Sequence, residues 1–220
     1  MHQQTVQAVI FDMDGLMFDT EHIGFASYQQ AAAELGKEVS LALYKKTLGH
    51  NKEEIRQVYL EHFQDVQFVN ALRKREKELA RQSLAQHVPV KRGLYELLHF
   101  LQVEKIPAAV ASSSPRVEVE ELVQRANVRD FFQVLCTGDD VRRAKPDPEI
   151  FLQAAKLLKV SPSHALVLED SRNGLLAAKA AKIPAIMVPD MIEANAEMRS
   201  LAVTVVRDLT EVIPYIQAHK

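Results

Sequence analysis

From Ile106 onward, short apolar runs alternate with helical stretches, and this alternation restricts the possible folds more than any other feature of the chain. The runs occupy residues 107–111, 132–136, 165–168, 185–188 and 203–206. Segments of helical pattern, each about ten residues or more, lie between them, enough for the crossovers that join parallel strands. A further run opens the chain, where Val6, Ala8, Val9, Ile10 and Phe11 are nearly continuous in apolar character. That pattern belongs to a strand covered by helices on both faces. The expected fold class is α/β, a Rossmann-like doubly wound parallel sheet.

One interval does not fit a plain repeat of strand and helix. About 100 residues separate Asp12 from the next strand end at Ser112, whereas a βαβ unit needs only about 30. The stretch from about Thr20 to His87 is helical in pattern, rich in Gln, Glu, Lys and Arg, and shows no convincing strand. It is expected to be an inserted helical cap domain, 20–87, leaving 1–19 and 88–220 as the α/β core. An insertion leaving the core beside Asp14 would overhang the mouth of a crevice, where it could exclude water and contact a substrate.

Charge and cysteine content narrow the partners. With 27 basic and 29 acidic residues the net charge is −2, so there is no broad basic field for a nucleic acid polymer, and a small molecule is the expected partner. Cys136 is the single cysteine, which rules out an internal disulfide or a cysteine metal cluster and suits a reducing compartment. Its simplest role is that of a small buried hydrophobe. Residues 1–5 lack the features of a signal peptide, and no apolar run approaches the roughly 20 residues that span a bilayer. A cytoplasmic protein that binds no membrane is expected, with a monomer as the default.

The chemistry gathers where strands end, which in open parallel sheets is where ligands bind. Asp12 and Asp14 flank Met13 just after the first run, followed by Gly15, which permits a tight bend. Two neighbouring carboxylates repel, so a cation, nearby donors or a retained proton must compensate them. An Asp-x-Asp-Gly stretch also suits a surface turn. A calcium loop would need a further oxygen ligand two residues later, where Leu16 and Met17 follow instead. After the second run come Ser112, Ser113 and Ser114, and after the fourth come Glu169, Asp170 and Ser171. Lys145 stands before Pro146 in the loop preceding another helix. Each has a plain reading: Ser114 before Pro115 and Asp147 before Pro148 as helix caps, the acids as helix-dipole partners, the lysine as a solvated surface group. Chance would seldom bring all of them to the carboxyl ends of strands.

Taken in order, these residues resemble the haloacid dehalogenase-like superfamily of aspartate-nucleophile phosphohydrolases, specifically its members with a small helical cap inserted after the first motif. The likeness rests on Asp12-Met13-Asp14-Gly15, Ser112, Lys145-Pro146 and Glu169-Asp170. The run Asp19-Thr20-Glu21 is similar to that of the sugar-phosphate phosphatase and β-phosphoglucomutase branch. The resemblance implies a phosphoric monoester hydrolase in which Asp12 attacks phosphorus and Asp14 is the general acid and base. It implies Mg²⁺ as cofactor, held by the Asp12 carboxylate, the Asp14 carbonyl and Asp170, with Glu169 bound directly or through water. Ser112, Ser113 and Lys145 would bind the phosphate, joined by the amides of Met13 and Asp14. Asn173 would order the Asp170 loop, and Ser171 would either cap a helix or support the metal site. In the cap, the run 48–53 is similar to a substrate-facing loop, which makes His50 and Lys52 the specificity candidates. The run 73–77 is most simply a solvated helix face.

The expected activity is Mg²⁺-dependent hydrolysis of small phosphorylated metabolites, such as sugar phosphates or nucleoside monophosphates. A β-phosphoglucomutase is the nearest alternative, but mutases of that branch carry a histidine four residues after the threonine, where Gly24 follows Thr20. A dehalogenase would lack the second acid supplied by Asp14. A noncatalytic ligand sensor would be expected to have lost some of Asp12, Asp14, Lys145 and Asp170, and all four are present.

Overall fold

The computed structural model describes residues 5–50 and 52–219 and places six strands in one sheet: β1 (Ala8–Phe11), β2 (Ala108–Ala111), β3 (Phe132–Cys136), β4 (Ala165–Glu169), β5 (Ala185–Met187) and β6 (Thr204–Val205). Ten α-helices accompany them among the described residues. They are α1 (Thr20–Glu34), α2 (Leu41–Lys45), α3 (Lys52–Phe63), α4 (Val66–Gln86), α5 (Leu94–Val103), α6 (Arg116–Arg125), α7 (Glu149–Leu157), α8 (Arg172–Ala180), α9 (Ala196–Leu201) and α10 (Val212–Ala218). The chain divides into two compact units, one formed by Met1–Phe18 with Val90–Lys220, the other by Asp19–Pro89.

Every strand pairing in the sheet is parallel, in the order β3-β2-β1-β4-β5-β6. This is the doubly wound arrangement expected from the alternation of apolar runs and helices, and the order reverses beside β1. Alternate residues supply the two faces of the sheet. Ile10, Ala109, Ala111, Cys136 and Val167 join Ile150, Phe151 and Ala154 of α7 and Leu175 and Ala178 of α8 in one core. Val9, Phe11, Val110, Leu166 and Leu168 alternate with them and are equally buried, with Phe11 meeting Phe132 edge-on at 5.6 Å. Burial on both faces explains why the strand sequences are nearly unbroken in apolar residues.

Several strands are shorter than their apolar runs. Pro107 precedes β2 because it lacks an N–H for the ladder, although its carbonyl accepts from Val9 N at 3.0 Å. The run 203–206 narrows to a two-residue strand, partly exposed and paired only to β5. Val188 lies beyond β5, yet its amide still donates to the Glu169 carbonyl at 2.8 Å.

The Asp19–Pro89 unit is helical, with α1 and α3 packed on α4. Its interior is aromatic: Tyr28 lies 4.9 Å from Tyr59 and 5.8 Å from Tyr44 between ring centroids, and Phe63 meets Phe68 at 4.6 Å. Asp65 caps α4 by accepting from Phe68 N at 2.9 Å. The basic run 73–77 is not uniformly solvated. Arg73 and Arg75 are half-buried, Arg75 pairing with Glu34 at 2.6 Å, whereas Lys74 and Lys77 are exposed.

Candidate active site

Three strand ends on one edge of the sheet are fixed by backbone bonds from the neighbouring strand or to it. The amide of Asp12, one residue past β1, donates to Leu168 O at 3.0 Å. Ser112, one residue past β2, donates to Cys136 O at 3.0 Å. Glu169 closes β4. The ladder therefore decides which side chains meet, because parallel strands in this register bring all three to the same edge.

Lys145 completes the group from a loop. Two amides of that loop, Arg142 N and Arg143 N, each donate at 3.1 Å to the carboxylate of Glu149 in the first turn of α7, and Asp147 Oδ1 accepts from Glu149 N at 3.0 Å. The N-cap of α7 is Pro148, without a side-chain cap, so Asp147 does not hold the cap position expected of it and instead meets the amide of Glu149 from one residue earlier. So anchored, Lys145 directs Nζ to Asp12 Oδ1 at 2.5 Å, Glu169 Oε1 at 2.7 Å and Ala111 O at 3.0 Å. Its side chain is 7% exposed, against 11% for Asp12 and 0% for Glu169. The surface-lysine reading is therefore incorrect: the ammonium sits in the interior between two carboxylates.

Electrostatics follow from that burial. Loss of solvent pushes the Asp12 carboxyl up to about 8; Lys145 opposes the shift, while Glu169 and Asp14 add to it. Burial also works against the charge on Lys145, but Asp12 and Glu169 outweigh it and hold the ammonium protonated above its usual range. Acidic charge here exceeds basic charge, the situation in which a cation stabilises a site.

Glu169 has both oxygens engaged. Besides Lys145 on Oε1, its Oε2 accepts from Asp170 N at 3.1 Å, Ser171 N at 2.9 Å and Ser171 Oγ at 2.9 Å. Ser171 also caps α8 by accepting from Gly174 N at 3.1 Å, the capping role weighed for it. Asn173 lies in the first turn of α8.

Asp14 occupies a different environment. Its Oδ2 accepts from Ser114 Oγ at 2.8 Å, and Ser112 Oγ lies 3.4 Å away. Ser114 was expected to cap α6, and it does not: the N-cap is Pro115, with no side-chain cap. Arg116 N is satisfied by Asp139 Oδ2 at 2.8 Å instead. Ser114 is the site residue that sequence reasoning missed, because Ser-Pro before a helix reads as a cap. Ser113 is exposed beside it.

Asp170 reaches the first motif from α8's side of the sheet. Gly15 has φ +80°, and a Cβ at that position would fall 2.4 Å from Asp170 Oδ2. Asp170 therefore lies beside the Asp12–Gly15 turn, at a residue that has no side chain to intrude, and carboxylate and carbonyl oxygens are the donor type that Mg²⁺ takes. Of the cap candidates, His50 is exposed with its amide donating to Thr47 O at 3.2 Å, and Lys52 is the exposed first residue of α3. Asn51 of the same run lies outside the described residues.

Residues 9–188 match the family model for haloacid dehalogenase-like hydrolases. The chain belongs to that family. Among related haloacid dehalogenase-like proteins, a phosphorylated carbohydrates phosphatase of Thermotoga maritima is 32% identical over 92% of this chain and 94% of its own. A validoxylamine A 7'-phosphate phosphatase of Streptomyces hygroscopicus subsp. limoneus is 31% identical over 94% and 95%. A solved structure of a candidate β-phosphoglucomutase from Thermotoga maritima is 30% identical, covers 96% of this chain and 99% of its own, and superposes with a TM-score of 0.81. The expected family and fold are thereby met, and relatives named as phosphatases support the expected phosphoric monoester hydrolase. Among the described residues, no helix is long and apolar enough to cross a membrane.

Proposed function

We propose that this chain is a Mg²⁺-dependent phosphatase of small phosphorylated metabolites, sugar phosphates foremost, acting through an aspartyl-phosphate on Asp12. The observation that carries the reading is the division of labour between two carboxylates one residue apart. Lys145 holds Asp12 through Oδ1, while Asp14 is held by serine hydroxyls. Two titratable groups placed in contrasting environments are how one site provides both a nucleophile and an acid.

In this mechanism Asp12 Oδ2, the oxygen opposite the lysine, attacks phosphorus as the bond to the leaving alcohol breaks. Asp14 gives its proton to the departing oxygen and later takes one from the water that cleaves the acyl phosphate. Ser112 and Lys145 stabilise the transferring oxygens, with Ser113 contributing from the rim. Asp12, the Asp14 carbonyl and Asp170 would hold Mg²⁺, whose charge lets an anionic carboxylate approach an anionic ester. Glu169 orients Lys145, since both of its oxygens are already engaged. The helical insertion, with His50 and Lys52, sets substrate preference, and the chain works as a cytoplasmic monomer without nucleic acid or membrane partners.

The mutase alternative is disfavoured by Gly24. A Cβ there would lie 2.5 Å from the Tyr44 hydroxyl, which donates to Glu21 Oε2 at 2.8 Å. The space that a histidine would need is occupied. A sensor would be expected to have lost some of Asp12, Asp14, Lys145 and Asp170, and all four are retained, which favours the catalytic reading.

Phosphate release from p-nitrophenyl phosphate and from a panel of sugar phosphates, measured with Mg²⁺ and with EDTA, tests the reading. Turnover that depends on Mg²⁺ and disappears in Asp12→Asn is expected. Turnover unaffected by both treatments would reject it, and glucose 1-phosphate appearing as glucose 6-phosphate would restore the mutase. Changes at His50 or Lys52 should alter preference among sugar phosphates more than hydrolysis of the small aryl ester.

A further inference from the structure

We infer that Ser114 is a positioning residue for leaving-group protonation: its hydroxyl fixes the orientation of the Asp14 carboxyl. This rests on the reading of Asp14 as the general acid.

Three observations carry it. The Ser114 hydroxyl donates to Asp14 Oδ2 at 2.8 Å, the shorter of the two serine contacts to that oxygen. Its backbone is fixed on both sides, with Ser114 N donating to Ser112 Oγ at 3.0 Å and Ser114 O accepting from Gly138 N at 2.9 Å. The hydroxyl is also free of the helix-capping duty its sequence context suggests, because Asp139 satisfies the first amide of α6. A rigidly mounted donor on one carboxyl oxygen restricts rotation of the whole group.

In the transfer step, the bond from Asp12 Oδ2 to phosphorus forms while the bond from phosphorus to the ester oxygen breaks. That oxygen receives the proton of the Asp14 carboxyl and leaves as a neutral alcohol, and Asp14 becomes a carboxylate whose Oδ2 still accepts from Ser114. The hydroxyl therefore matters in proportion to the leaving group's need for a proton. An alkoxide needs it greatly, and a nitrophenolate hardly at all.

The test compares kcat/KM for the Mg²⁺-loaded full chain across phosphate monoesters from alkyl alcohols to 2,4-dinitrophenol, in Ser114→Val and Ser114→Thr, which differ by one hydroxyl. General acid help is worth about 10² to 10⁴, so losing its orientation in Ser114→Val should cost roughly tenfold or more on alkyl phosphates and under about threefold on the dinitrophenyl ester. Ser114→Thr should recover most of the alkyl loss. Equal losses on all esters, or a Val variant matching Thr, would overturn the inference. Asp14→Asn on the same series separates it from its premise. If that variant shows no leaving-group dependence, the assignment of Asp14 fails; if it does and Ser114→Val does not, only the role of Ser114 fails.

Discussion

Asp12 and Glu169 carry the same functional group and share one ammonium, yet their surroundings differ. Asp12 keeps one oxygen outside the lysine contact, whereas Glu169 gives both of its oxygens to protein donors. Replacing Glu169 with Gln should therefore lower kcat by about 10- to 100-fold, the usual cost of losing an outer partner of a site. Mg²⁺ affinity, followed by isothermal titration, should change little in the same variant; a tenfold fall would make Glu169 a ligand after all. Cys136 behaves as expected of a small core residue. It is fully buried, and desolvation pushes its thiol up to about 11. At pH 8 it stays protonated, so iodoacetamide should leave the native protein unlabelled and modify the chain fully once urea unfolds it; rapid native labelling would show that the core opens at β3.

At the scale of elements, α8 is constrained by what lies beneath it. A Cβ at Gly174 would fall 1.7 Å from Glu169 Oε1, so the first turn of the helix rests directly on the buried carboxylate. Gly174→Ala gains helix propensity worth about 1 kcal/mol but must displace a side chain tied to Lys145. We expect net destabilisation of about 1–3 kcal/mol by urea unfolding, the range for overpacking, together with reduced activity; an unchanged midpoint would mean that Glu169 can move. The loop after β3 is fixed by a reciprocal cap, in which Asp140 Oδ2 accepts from Thr137 N and Thr137 Oγ1, each at 2.8 Å, and pairs with Arg116 at 2.6 Å. These contacts join that loop to the start of α6, the helix that follows the Ser112–Ser114 turn.

For the whole molecule, Mg²⁺ binding should be visible as stability, because the acidic edge is assembled from strand ends distant in sequence and does not exist in the unfolded chain. A ligand at 100 times its dissociation constant adds about 2.7 kcal/mol. The melting temperature should accordingly rise with Mg²⁺ and fall back with EDTA, and Asp170→Asn should abolish most of that rise without unfolding the protein. Equal melting temperatures under all three conditions would remove Asp170 from the metal site.

The α/β class and the parallel sheet were legible in the sequence, as was the helical character of the long stretch between the first two strands, since the period of apolar residues is a local property that burial imposes directly. The acids at 12, 14, 169 and 170 and the lysine at 145 were singled out by their order along the chain and the family that order resembles, since each alone also reads as a turn, a helix-dipole partner or a surface group. Which groups each one touches was decided by tertiary structure. Strand register set Glu169 against Lys145, and the turn at 112–114 pointed a supposed cap at Asp14. Hydrogen-bond partners separated by about 100 residues in the chain leave no periodic trace, because they are chosen by packing of the folded core and not by the residues beside them.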